Sequence, residues 1–515
     1  MTEELAKPQT AENPAPLETG EPRKKWAVLV FLGGENNLED EMVLAIKAMK
    51  SSVTPPVVTS PPEPGRGFAP DCAPLEPLEF NFNALVQLSA EDPSFPTSAL
   101  RVPRRFQLRP GDCDGQLQDD AIPPPIGNPS PHKPYTVEDY KNELIDFLIW
   151  GIRNAHASHL LVVFSAHGLG VKSQFLLRNS TPPLSLTVKD FARVLRDPRV
   201  GEALEYHHAT IQILGLDSCL MSMAEIGYEL RNEVRILVAS QGSEANLGWP
   251  YRSIFKYLHD NRNAKTEELA QHIVDAFVRY YDDFAIASDL SSDLSACRLR
   301  HRGRDYMHRL KTEVDALAAA LSELIRCRMR RDENDEATPP WDPAADEFAR
   351  VLIFAHWYSQ TYHFDQYVDL QDLCELLREN LPCDSEYDYL RESCCHVIEA
   401  VKNCTIDPLS RNFTGPLYQY SYGVSIYLPW SRVYKLYDHP DEGEQLDFLR
   451  GGKWVGFIHD CIEFTRRPPR PKPAEDWKKA GEKDSPPHSR GADDPGLRAK
   501  NPPSTWPVPS YVVIN

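Results

Sequence analysis

The chain has 515 residues, carries 56 Lys+Arg against 75 Asp+Glu for a formal net charge of −19, and contains 45 prolines. That length can bury a sizeable core or about three ordinary domains, and the acidic balance argues against a protein that lives on a phosphate backbone or an anionic membrane. Proline is unevenly placed, with 4 in residues 1–22, 8 in 51–80, 8 in 101–134 and 11 in 466–515. Its ring removes a backbone donor and fixes φ, so these four stretches read as a disordered N-terminus, two insertions and a disordered tail around a compact remainder.

The N-terminus is polar and Pro-rich with no apolar h-region, so a secretory signal is not expected and a cytoplasmic location is. No segment reaches the roughly 20 apolar residues that span a bilayer. The first strand signal is Trp26 to Leu32 (WAVLVFL), followed by Ala84 to Leu88 (ALVQL), Leu160 to Phe164 (LLVVF), Ile211 to Leu216 (IQILGL) and Arg235 to Ala239 (RILVA). These runs are continuously apolar, as in strands buried on both faces of a parallel sheet. Helical patterns lie between them. Thr136 and Asp139 make a capping-box signature ahead of Val137, Tyr140, Leu144, Leu148 and Ile152, a stripe at three- and four-residue spacing. A second helix is expected after Thr187, and a third over Leu220 to Leu230. Strands alternating with helices give an α/β fold with a mostly parallel sheet flanked by helices.

Beyond residue 262 the pattern turns α-rich. Helices are expected at 266–284, 305–331 and 388–403, with a last strand-like run from Gly423 to Leu428 that could return to the sheet. The organisation is thus an α/β core over 23–262, with insertions at 51–80 and 101–134, and an α-rich part over 263–465 that completes it. The basic runs Arg298 to Arg304 and Arg326 to Arg331 read as solvated helix faces rather than a nucleic-acid patch. The 11 cysteines include no CxxC pair, which points to reduced thiols rather than a disulfide frame or zinc site.

Ligands of open α/β sheets bind beyond the carboxyl ends of the strands, and two of these ends carry reactive side chains. LLVVF runs into Ser165, Ala166, His167 and Gly168; IQILGL runs into Asp217, Ser218 and Cys219. The spacing allows one crossover between them, so a histidine and a cysteine would face one cleft. Cys219, read as the N-terminus of the third helix, would gain from that helix dipole. The amides of Gly168 and Cys219 could form an oxyanion hole, and His167 could protonate a leaving amine. The plainer reading is that Cys219 is one of 11 thiols and His167 one of 16 histidines.

The motifs decide between these readings. KKWAVLVFLGGENNLED, HLLVVFSAHGLG, LGLDSCLMSMAEIGYEL and ILVASQGSEANLGWPY resemble, in that order, the opening strand, the histidine strand, the nucleophile block and the following loop of the clostripain family of cysteine peptidases. ALVQLS with RRFQL, DLSACRL, YHFDQYVDLQDLCELL and YGVSIYLPW resemble further family segments. The resemblance spans about residues 25–462. It implies a caspase-like fold, Cys219 as nucleophile, His167 as general acid/base, and a peptide or protein substrate cut after Arg or Lys. Asp217 matches the acidic S1 residue that pairs with that side chain; Glu244 and Ser240, on the next loop, are further S1 candidates. The histidine block lacks the usual aspartate before His and the Trp after the glycines, and the loop has Glu244-Ala245 in place of E-P.

Some family members are secreted, bind calcium and cleave themselves. Here Asp112, Asp114, Asp119 and Asp120 make an acidic loop without EF-hand spacing, so no cofactor is expected. Lys172 and Arg178, in the loop after His167, are the candidate self-cleavage points. The alternative to an enzyme is a peptidase fold kept as an interaction module, with the proline-rich segments as docking sites.

Overall fold

The computed structural model describes residues 23–34, 36–53, 79–89, 103–111, 121–122, 135–172, 175–178, 183–288, 290–329, 343, 346–362, 366–438 and 445–466. The acidic loop of Asp112, Asp114, Asp119 and Asp120, most of both proline-rich insertions and the tail lie outside these residues. Residues 1–466 form one unit and 467–515 a second, of which nothing is described.

Five parallel strands make the centre of the main sheet. They are β1 (Lys24–Gly33), β2 (Asn83–Ser89), β5 (Ala157–Ser165), β8 (Thr210–Asp217) and β9 (Ile236–Ala239), in the spatial order β2-β1-β5-β8-β9. Antiparallel strands close both edges: β3 (Arg104–Leu108) with β4 (Ala121–Ile122) beside β2, and β11 (Ser295–Arg298) beside β9. β3 lies inside the 101–134 stretch read as an insertion, so that stretch contributes to the sheet. The strand that returns from the C-terminal part is β11. The Gly423 to Leu428 run yields only Ser425–Tyr427, which pairs with Tyr367–Asp369 in a separate three-stranded sheet.

Alternate residues of the central strands feed two cores. Trp26, Val28, Val30 and Leu32 of β1 pack with helices α1 (Glu39–Lys50), α6 (Tyr251–Asp260) and α7 (Thr266–Ser288). Leu29 and Phe31 face the other way, toward α2 (Val137–Ala155), α3 (Val188–Leu195), α4 (Pro198–Tyr206), α5 (Ala224–Leu230) and the long α8 (Tyr306–Met329). Each fully buried aliphatic or aromatic side chain contributes roughly 1.5–3 kcal/mol, which is why the runs are continuous. Thr136–Asp139 and Thr187–Asp190 form complete capping boxes at the starts of α2 and α3.

This layering positions the site. The crossover from β1 runs along one face and those from β5 and β8 along the other, so the carboxyl ends of β1 and β5 part at a crevice. The turn after β1 and the segment Ala166 to Gly168 stand on its two sides.

Candidate active site

β5 and β8 are in parallel register with Ser165 opposite Asp217, so the residues that follow each strand are neighbours. Ala166 N–H donates to the Asp217 carbonyl (3.2 Å) and Ser218 Oγ donates to the Ala166 carbonyl (2.7 Å). A Cβ on Gly168 would lie 2.8 Å from the Cys219 carbonyl oxygen; glycine is what lets the His167–Gly168 backbone close onto the cysteine. His167 is half-buried, and burial holds its ring below the usual imidazole pKa, hence neutral near pH 7. Its Nε2 hydrogen-bonds Asn37 Oδ1 at 2.8 Å. Among the described residues neither the Gly168 nor the Cys219 N–H is spent on another backbone carbonyl.

Cys219 is half-buried, and its Sγ accepts the Glu244 N–H (3.2 Å) and faces the Glu244 carbonyl (3.8 Å). Its thiol is pushed up to about 12 by burial and by the negative charge of Glu244 and Asp217. The helix expected from Leu220 begins only at Ala224. Leu220 is left-handed (φ 65°), and Ser222 N–H bonds the Ser240 carbonyl, so 220–223 is a turn and an extended bridge. The thiol therefore does not sit at the N-terminus of that helix.

Two carboxyls flank the thiol. Asp217, at the end of β8, is buried, with its Oδ2 accepting from Ser165 Oγ (2.8 Å) and Tyr251 OH (2.7 Å). Glu244 is buried, with its carboxyl set against that of Asp217 and the Ser240 hydroxyl. Burial raises both pKa values, and the Asp217 charge raises that of Glu244 further. Gly248 closes over the pair: its φ is +66°, and a Cβ there would come 2.8 Å from Asp217 Oδ2.

The loop carrying Glu244 is held from outside the core strands. Asp293 accepts the N–H groups of Gln241 and Gly242, both at 2.8 Å. Gln241 Nε2 donates to Asp369 Oδ2 (2.8 Å), and Gln241 Oε1 accepts the Gly423 N–H (2.7 Å).

Of the residues read from sequence, His167, Gly168, Cys219, Asp217 and Glu244 are brought together. Ser240 is buried beneath the loop, its hydroxyl 3.0 Å from the Gly242 carbonyl and 3.3 Å from that of Ser218, and set against the Glu244 carboxyl. Lys172 is half-buried at the end of a short 3-10 turn, Gly170–Lys172. Arg178 is not on an open loop: it is 2% exposed in β6 (Phe175–Arg178), ion-paired with Glu143 at 2.9 Å. A cut after Arg178 requires that pair to open. Sequence reading missed Asn37, Tyr251, Gln241, Asp293 and Asp369. Tyr251, Gln241, Asp293 and Asp369 stood inside quoted motif blocks without a role, and Asn37 stood in an Asn-Asn turn after the first strand. Among the described residues no group of three or more His, Cys, Asp or Glu is placed to hold a metal ion, and no helix is long and apolar enough to cross a membrane.

No curated protein matches the chain. Solved structures similar to it include a secreted C11 cysteine protease from Bacteroides thetaiotaomicron in complex with an irreversible peptide inhibitor, 14% identical with a TM-score of 0.45 over 85% of this chain and 99% of that one. Another is an inactive zymogen C11 protease from Parabacteroides distasonis, 16% identical with a TM-score of 0.44 over 85% and 99%. The assignment rests instead on the family model described as the clostripain family, which matches residues 137–459 and so more than half of the chain. That match takes in the histidine strand, the DSCLM turn and the loop after β9, and with them the chain belongs to the clostripain family and is a cysteine-type peptidase.

Proposed function

We propose that the protein is an endopeptidase that cleaves after arginine, and less readily after lysine, with Cys219 as nucleophile and His167 as general acid/base. The observation that carries this is the buried carboxyl pair, Asp217 and Glu244, set beside the thiol. A guanidinium offers five N–H donors in a planar fork and remains charged when buried; entering beside Asp217 and Glu244 it brings a counter-charge to both carboxyls. Lysine brings the charge without the fork.

In this reading the Cys219 proton passes to His167 as Sγ attacks the scissile carbonyl carbon. The carbonyl electron pair moves to oxygen, where the N–H groups of Gly168 and Cys219 meet it. The C–N bond breaks as His167 returns its proton to the departing amine. Water then gives its hydroxyl to the acyl carbon and a proton to His167; the C–S bond breaks, and sulfur takes that proton back. A thiol held at about 12 favours transfer concerted with attack over a resting ion pair.

The test is a fluorogenic panel with Arg, Lys, Ala or Asp at P1, with and without calcium, on wild type, Cys219→Ala and His167→Ala. Arg should be cut fastest, then Lys, and both variants should lose turnover by a thousandfold or more. Turnover of the Cys219→Ala protein at the wild-type rate would remove the dyad, and a preference for Asp would remove the pocket's role.

A further inference from the structure

The geometry points to Asn37 as the residue that orients His167 and selects its working nitrogen, making the centre a Cys–His–Asn relay assembled from three strand ends. This rests on the proposed role of His167 as the acid/base.

The first support is the bond itself. His167 Nε2 lies 2.8 Å from Asn37 Oδ1. A carbonyl oxygen only accepts, so the proton of the neutral ring sits on Nε2 and the lone pair on Nδ1. Nδ1 is then the nitrogen left to receive the Cys219 proton. When it does, the ring becomes positive and its Nε2–H bond to the amide oxygen is charge-assisted, which strengthens it at the step where it is needed.

The second support is the way the turn bearing Asn37 is fixed. Gly34 N–H donates to the Ser89 carbonyl at 2.7 Å, tying the turn to the end of β2. Asn36 Nδ2 donates to the Gly33 carbonyl (3.1 Å) and to the Leu177 carbonyl (3.0 Å), and Asn36 Oδ1 accepts the Leu38 N–H (2.9 Å). Leu177 belongs to β6, whose Leu176 N–H holds the His167 carbonyl at 3.0 Å. Asn36 thus clamps the turn to the strand that grips the histidine, and Asn37, exposed and outside that clamp, is left to meet the ring. A residue holding up the turn would be buried in these contacts; Asn37 is not.

The experiment compares Asn37→Ala and Asn37→Asp with wild type on the P1-Arg substrate. Asn37→Ala should lower kcat on the order of ten- to a hundredfold with KM nearly unchanged. Asn37→Asp places a carboxylate on the ring, so the acid limb of the pH profile of kcat/KM should move up by about one unit. An Asn37→Asp profile that superimposes on wild type, or an Asn37→Ala enzyme with wild-type kcat, overturns the proposal. So does a large fall in Tm of both variants, which would mark Asn37 as a structural residue. Wild-type turnover by His167→Ala would overturn the dyad instead, so the two failures are distinguishable.

Discussion

At the scale of single residues the site sets two buried carboxyls beside a thiol. Burial raises both Asp217 and Glu244, and in the proposed pocket a bound guanidinium would draw both back down. Binding of a P1-Arg inhibitor should therefore release protons and weaken as the pH falls, a dependence absent for a P1-Ala inhibitor. Calorimetry in buffers of different ionisation enthalpy measures the release, and its absence would mean the pair is already ionised. Glu244→Gln removes one partner of a buried charge pair, a change that costs about 2–5 kcal/mol. The expected result is a fall in kcat/KM for P1-Arg of about thirtyfold or more, with kcat/KM for P1-Ala little altered; equal losses on both substrates would place Glu244 outside the pocket. His167, Cys219 and Asp217 were legible because each ends an apolar run. Asn37 was not, since its partner lies 130 residues away and an Asn-Asn pair after a strand reads equally well as a turn.

At the scale of elements, the β6–β7 hairpin (β7, Leu184–Leu186) follows the loop bearing His167 and packs against β1, α2 and α3. Arg178 stacks on Tyr140, its guanidinium carbon 3.7 Å from the ring centroid, and pairs with Glu143. Glu143 also accepts from Gln87 (3.0 Å), Ser89 (2.5 Å) and Tyr135 (2.6 Å). Glu143→Gln leaves a buried guanidinium without its counter-charge and should destabilise by roughly 3–5 kcal/mol. It should also loosen the hairpin enough for trypsin to cut after Arg178 in the folded protein, where wild type resists. Intact mass after brief digestion reads this, and equal resistance of both proteins would show that the pair does not hold the hairpin shut. The five parallel strands were readable because burial on both faces writes itself as an unbroken apolar run. β3, between proline-rich stretches, was harder to place, and the apolar spacing of Leu220–Met223 imitated a helix that a left-handed Leu220 forbids. For Gly423 to Leu428, the pattern announced a strand but held no information about its partner.

Across the whole molecule, several buried carboxyls are held above their ordinary range by burial: Asp293, Asp369 and Glu225 at about 7 and Asp372 at about 6. Between these values and the roughly 4 of the unfolded chain, the native state binds more protons, so stability rises as pH falls through that window. Glu143 acts in the opposite sense: against burial, Arg178 and the hydrogen bonds of Ser89 and Tyr135 hold it low, and its contribution is lost only at more acid pH. The Tm should therefore be higher at pH 6 than at pH 8, by about 2 °C or more, before declining in stronger acid. A scanning-calorimetry series tests this, and a Tm that falls steadily from pH 8 to 6 would contradict it. The tethering of Gln241 and Gly242 by Asp293, Asp369 and Gly423 has a temporal side. A ribosome completes His167 and Cys219 first and reaches Gly423 roughly 200 residues later, on the order of 10 to 40 seconds at 5–20 residues per second. Until then the loop bearing Glu244 lacks the last of its anchors, so under the proposed function the nascent chain would carry its thiol before the arginine pocket is complete, and the order of translation would itself delay the onset of cleavage.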